Sequence, residues 1–213
     1  MGVINKGILG PVSGTVGTVI GGSWKGISYL RSQPTSRRTS FTTKQLEQQA
    51  KFALTIQFLQ SMTPLLSESF RDYAVKMSGF NNAMRYTLLN AIAGSYPTFS
   101  INYSSVLVSR GDLPNASSPA ATSTASGTVN FNWVNNSGMG KAQPTDTSIL
   151  VVYSPDLNQC IYTTAGAVRS AGTDTVSVPS FKGLPVETYI GFVSADGKNI
   201  ASSIYTGQVT VTA

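Results

Sequence analysis

Residues 1–34, MGVINKGILGPVSGTVGTVIGGSWKGISYLRSQP, hold eight glycines between Gly2 and Gly26, spaced by small or β-branched residues. That spacing rules out a helix, because each interior glycine costs about 1 kcal/mol relative to alanine. It is not a flexible linker either. Val3, Ile4, Ile8, Leu9, Val12, Val16, Val19, Ile20, Trp24, Ile27, Tyr29 and Leu30 are apolar. Apolar residues on a glycine-rich arm need a surface to bury against, and the reading here gives part of that surface to another copy of the chain. Ile4, Ile8, Leu9, Val12, Val16, Val19, Ile20 and Trp24 are the candidate assembly contacts. Within the arm the pattern predicts strands at 12–20 and 24–31, with a turn at Gly21-Gly22.

Charge is sparse and uneven. Only 11% of the 213 residues are charged, against about 25% in an average domain, and the 41% apolar fraction still permits a core. A charge-poor surface suits close packing of subunits. Residues 1–100 hold ten Lys/Arg against three Asp/Glu, a net +7, whereas residues 101–213 hold five against six, a net −1. The basic half points to a polyanion, nucleic acid or an acidic neighbour, with Lys25, Arg31, Arg37 and Arg38 as candidate contacts. The plainer alternative is a basic half docking on a near-neutral one.

Catalysis finds little to work with. The chain has no histidine and one cysteine, Cys160. Ser–His and Cys–His pairs and the common zinc sites are therefore unavailable, and no disulfide closes within the chain. The arm lacks both the P-loop ending and a Gly-x-Gly-x-x-Gly fingerprint. The expectation is no enzyme, no catalytic residues, no metal and no cofactor. There is no apolar run of about 18 residues and no signal-peptide pattern. The expectation is synthesis in the cytoplasm, or arrival in a virion or extracellular assembly by another route. Arg110-Gly111-Asp112-Leu113-Pro114 reads as a turn. The sequons at Asn102, Asn115 and Asn135 carry no meaning without secretion, and Cys160 reads as a buried small apolar residue.

The rest of the chain divides into three. Residues 35–114 carry a helical segment plus a strand. Thr42 and Gln45 have capping-box spacing ahead of a helix. Thr63-Pro64 opens a second helix running through Met77. Asn81 or Asn82 caps a third, with Gly94 as its C′ glycine. A strand follows at Phe99–Val108. Residues 115–126 (NASSPAATSTAS) read as a linker. Residues 127–213 read as all-β, with strands at 127–134, 147–153, 159–164, 174–178, 186–195 and 203–212 separated by turn chemistry such as Lys182-Gly183 and Asp196-Gly197. The fold class is α+β: a glycine-rich extended arm, a small three-helix segment and a C-terminal sandwich.

Two resemblances add to this reading. Leu184-Pro185-x-x-Thr188-Tyr189-x-x-Phe192-Val193, with Trp133 upstream, resembles the fibronectin type III and immunoglobulin-like pattern, in which the tyrosine hydroxyl pins a corner. The resemblance implies structural roles for Trp133 and Tyr189. The strings Gly7-Ile8-Leu9-Gly10, Gly14-Thr15-Val16-Gly17 and Trp24-Lys25-Gly26-Ile27, then Arg31, Pro34, Gln45, Lys51-Phe52, Asn90 to Pro97 and Val193 to Lys198, resemble an uncharacterised family of Bacteroidota proteins. That resemblance implies an architecture and carries no activity or catalytic residues. The function expected is a non-catalytic subunit of a homopolymeric assembly, a virion component, tube, filament or shell, whose partner is itself. A nucleic-acid-associated protein and a surface adhesin are the alternatives.

Overall fold

A computed structural model describes residues 2–4, 7, 10–34, 36 and 40–213. The fold is α+β and falls into two compact units, residues 1–43 and 44–213.

The first unit is a sheet rather than an extended arm. Strands β1 (Val3–Ile4), β2 (Val12–Val16), β3 (Val19–Trp24) and β4 (Ile27–Ser32) form one antiparallel meander in chain order. The chain reverses at Gly17-Thr18 and Lys25-Gly26, and Gly21-Gly22, predicted as the turn, lie inside β3. Both Lys25 and Gly26 have positive φ, which matches the twist of a tight hairpin. Gly21 is needed for a different reason. Gly14, at φ +90°, lies within β2, and a Cβ at Gly21 would run into the Val12 carbonyl oxygen.

The second unit begins with three helices: α1 (Thr43–Gln60), α2 (Thr63–Ser69) and α3 (Gly79–Asn90). Pro64 sits in the first turn of α2, as predicted, but the helix stops at Ser69, and a 3-10 turn (Arg71–Tyr73) follows. Ser78, not Asn81 or Asn82, caps α3: its side chain accepts from the Asn81 N–H at 3.2 Å. Gly94 is not a C′ residue. It lies in β5 (Ile92–Ser95), which forms a hairpin with β6 (Thr98–Ile101). The strand predicted through Val108 ends at Ile101, and a 3-10 turn at Tyr103–Ser105 follows.

Seven further strands complete the unit: β7 (Ser117–Thr122), β8 (Thr128–Val134), β9 (Thr147–Ser154), β10 (Gln159–Thr163), β11 (Thr173–Ser177), β12 (Pro185–Val193) and β13 (Ile204–Thr210). They form two antiparallel sheets, β11-β8-β7 and β10-β9-β12-β13, arranged like a sandwich. Residues 115–126 are thus no linker, because β7 takes up half of that segment and pairs with β8. Its Ser, Ala and Pro suit an edge strand, where Pro119 needs no ladder partner and the register shifts beside it.

The helices are a third layer, not a separate bundle. Phe131, Trp133, Leu150, Val152, Ile190 and Phe192 fill the space between the sheets. On the other face of the four-stranded sheet, Ile149, Val151, Tyr153 and Tyr189 belong to one cluster with Phe58, Leu59, Met62, Leu65, Leu66 and Phe70 of the helical segment. This double burial explains why β9 reads as an unbroken apolar run, Ile149 to Tyr153, rather than alternating. Tyr189 donates its hydroxyl to the Tyr103 carbonyl at 2.9 Å, so it ties the sheet to the segment after β6 and not to a corner of the sandwich. Among the described residues no helix is long and apolar enough to cross a membrane.

Candidate self-assembly surface

The register of β2, β3 and β4 sorts their side chains onto two faces. Opposed residues share a face, and neighbours along a strand alternate. Trp24 pairs with Ile27, Gly22 with Tyr29 and Ile20 with Arg31, which puts Ile20, Trp24, Ile27, Tyr29 and the charged Arg31 on one face. Val16 pairs with Val19 and Gly21 with Leu30, which puts Val16, Val19 and Leu30 on the other. Each face carries exposed apolar side chains, beside Arg31 on one and Ser23, Ser28 and Ser32 on the other. Trp24 is 47% exposed, Ile27 61%, Leu30 62% and Val16 49%. Ile4 on β1 is also exposed, while Val12 and Ile20 are half-buried. Residues 10–12 and β4 form a shallow, open depression of about 390 Å³ lined by Pro11, Val12, Tyr29 and Leu30. Two candidate contacts, Ile8 and Leu9, lie outside the described residues.

The strand edges add a second kind of surface. β1 and β4 are the outer strands of the meander, and no described strand pairs with their free edges. An open edge offers backbone donors and acceptors to another strand.

Of the four candidate polyanion contacts, two are described, Lys25 and Arg31. Lys25 sits at the tip of the β3–β4 hairpin with its Nζ 5.2 Å from the centre of its neighbour Trp24's ring. Arg31 lies four residues beyond Ile27 on β4, about 13 Å from the tip at the rise of a strand. Arg37 and Arg38 lie outside the described residues.

The sequence reading missed a buried polar clamp in the second unit. Arg169 is fully buried, and its Nε donates to Asp146 Oδ2 at 3.1 Å. Its remaining nitrogens donate to Asn136 Oδ1 at 2.7 Å and to the Pro114 carbonyl at 2.8 Å. The guanidinium lies 4.3 Å from the Phe192 ring centre, and Trp133 donates its indole N–H to the Arg169 carbonyl at 2.9 Å. Burial holds the Arg169 pKa below its ordinary value, opposed by the Asp146 carboxylate. Four connections meet on this one side chain, so its role is to close the end of the sandwich. Cys160 is packed against the helical core, and burial pushes its thiol up to about 12. Such a thiol is an inert packing group.

A family model matches residues 11–207, described as a family of unknown function (DUF6266). The chain belongs to the DUF6266 family. The DUF6266 match takes in β2, β3 and β4 as well as nearly all of the second unit, so the apolar sheet lies within the family's matched region. No curated protein and no solved structure matches the chain.

Proposed function

We propose that this protein is a non-catalytic structural subunit of a homopolymeric assembly, a virion component, tube, filament or shell, joined through its N-terminal sheet. One observation carries the reading: the four-stranded sheet carries exposed large apolar side chains on both faces. A sheet normally buries one face against a second layer and leaves the other to water. A second layer from the same chain covers one face of such a sheet and leaves the other. Covering both requires another molecule, and a second copy supplies an identical apolar face together with a strand edge. The charge-poor composition supports the same reading, since copies pack without repulsion. We read the seven C-terminal strands as an immunoglobulin- or fibronectin-III-like module. The first, second and fifth of them pair in one sheet and the other four in the second, which supports this.

Charge placed on either face tests the reading. Trp24→Glu burdens one face and Leu30→Glu the other. Each buries an unpaired carboxylate in the subunit contact, so each weakens association about a hundredfold or more. The measurement is the concentration at which the assembly dissociates. If both variants assemble at wild-type concentrations, the sheet is not the contact.

A further inference from the structure

Two arginines far apart in sequence, Arg85 and Arg110, line one pocket of about 480 Å³ in the second unit, together with Tyr73, Tyr86 and Leu89. The volume falls within the roughly 300–1,000 Å³ range of small-molecule sites. Arg85 projects from the exposed side of α3. Arg110 comes from the extended segment after the Tyr103–Ser105 turn, and its backbone N–H bonds the Ser69 carbonyl at 3.1 Å. The tripeptide Arg110-Gly111-Asp112 is therefore extended chain and not the turn predicted from sequence. Asp112 and Leu113 bridge to Ala201, and a Cβ at Gly111 would collide with the Ile200 carbonyl oxygen.

The Arg110 guanidinium lies over two aromatic rings. Its central carbon lies 4.4 Å from the Tyr73 ring centre and 5.6 Å from that of Tyr86. These are cation–π contacts, and a guanidinium carries five N–H donors and no acceptor, so it suits an oxyanion. The Tyr73 ring is held by its hydroxyl, and the backbone of both tyrosines is hydrogen-bonded. Tyr73 donates its hydroxyl to Asp112, and the Asn82 amide donates to the Tyr73 carbonyl. Asn90 likewise donates to the Tyr86 carbonyl at 2.8 Å. Among the described residues, neither Arg85 nor Arg110 enters an ion pair. Two carboxylates lie near Tyr73: Asp112, engaged by its hydroxyl, and Asp72, paired with Arg71.

We propose that this pocket binds a small-molecule oxyanion, a carboxylate or a phosphate group, clasped between Arg85 and Arg110. Arg110 is the preorganised anchor, able to offer two parallel N–H donors to one oxyanion, and Arg85 closes over it from α3. The site is independent of the assembly surface, because all of its residues lie in the second unit.

Equilibrium dialysis of the full chain against labelled inorganic phosphate, and separately against labelled citrate, tests it at constant ionic strength. The expected result is saturable binding of one or both anions at one site per chain. Saturation by phosphate alone or by citrate alone supports the site and assigns the group. Arg85→Gln weakens it about tenfold or more, the size of a lost charge-assisted hydrogen bond. Arg85 is exposed, so this variant folds normally. Arg110→Gln weakens it by at least as much, and Lys141→Gln, distant in sequence, leaves it unchanged. No saturable binding of either anion overturns the proposal, as does an unchanged affinity in Arg85→Gln.

Discussion

Removing residues 2–34 leaves a monomer whose remaining unit stays folded. The reasoning rests on where the buried residues are. Every buried member of the two core clusters lies between Phe58 and Val211, and both sheets of the sandwich together with all three helices fall within residues 43–213. The deletion removes no residue of these cores, so the remaining unit still unfolds cooperatively. Assembly changes completely, because the deletion takes away both apolar faces and both free strand edges. Light scattering or sedimentation of the truncated chain reads the first outcome, and thermal unfolding reads the second. A truncated protein that still assembles contradicts the account of the sheet.

Asp146→Ala is the point substitution with the largest expected effect on the second unit. Arg169 is buried with no solvent to replace its partner, and Asp146 is the only carboxylate it pairs with among the described residues. Removing one half of a buried pair typically costs about 3–5 kcal/mol, because the other charge is left uncompensated. For a unit of this size that lowers Tm by roughly 10 °C. Replacing both residues, as Asp146→Leu with Arg169→Met, recovers most of the loss, since apolar packing often matches a buried pair. One oxygen of Asp146 is already buried without a hydrogen-bond partner, which adds to the case for recovery. A loss under about 1 kcal/mol for Asp146→Ala would contradict the view that this pair closes the end of the sandwich.

Much of the second unit was legible because its punctuation is local. Turn residues such as Lys182-Gly183 and Asp196-Gly197 bracket β12, and its predicted span of 186–195 compares with Pro185–Val193. The β9 strand was legible as a strand, but not as the sheet's doubly covered middle. An apolar run alone does not say what lies on each side. β7 escaped because its Ser, Ala and Pro resemble a linker, and only pairing with β8 makes it a strand. Gly21-Gly22 misled for the opposite reason: glycines read as a turn serve a close approach inside a strand.

The candidate sites divide in the same way. The apolar character of the first 34 residues was plain, but which residues share a face follows only from register. The Arg85–Arg110 pocket had no signal at all. Its arginines are far apart in the chain, and one sat in a tripeptide that looked like an exposed turn. The Asp146–Arg169 clamp was equally silent, since no spacing marks two charges that meet through tertiary packing.

The mass of the intact chain in solution, measured across a concentration series with electron microscopy of the same sample, tests the central claim most directly. The account predicts a mass many times that of the 22.5 kDa chain, with regular tubes, filaments or shells in the images. A single 22.5 kDa species that persists at high concentration, with no ordered particles, would contradict it.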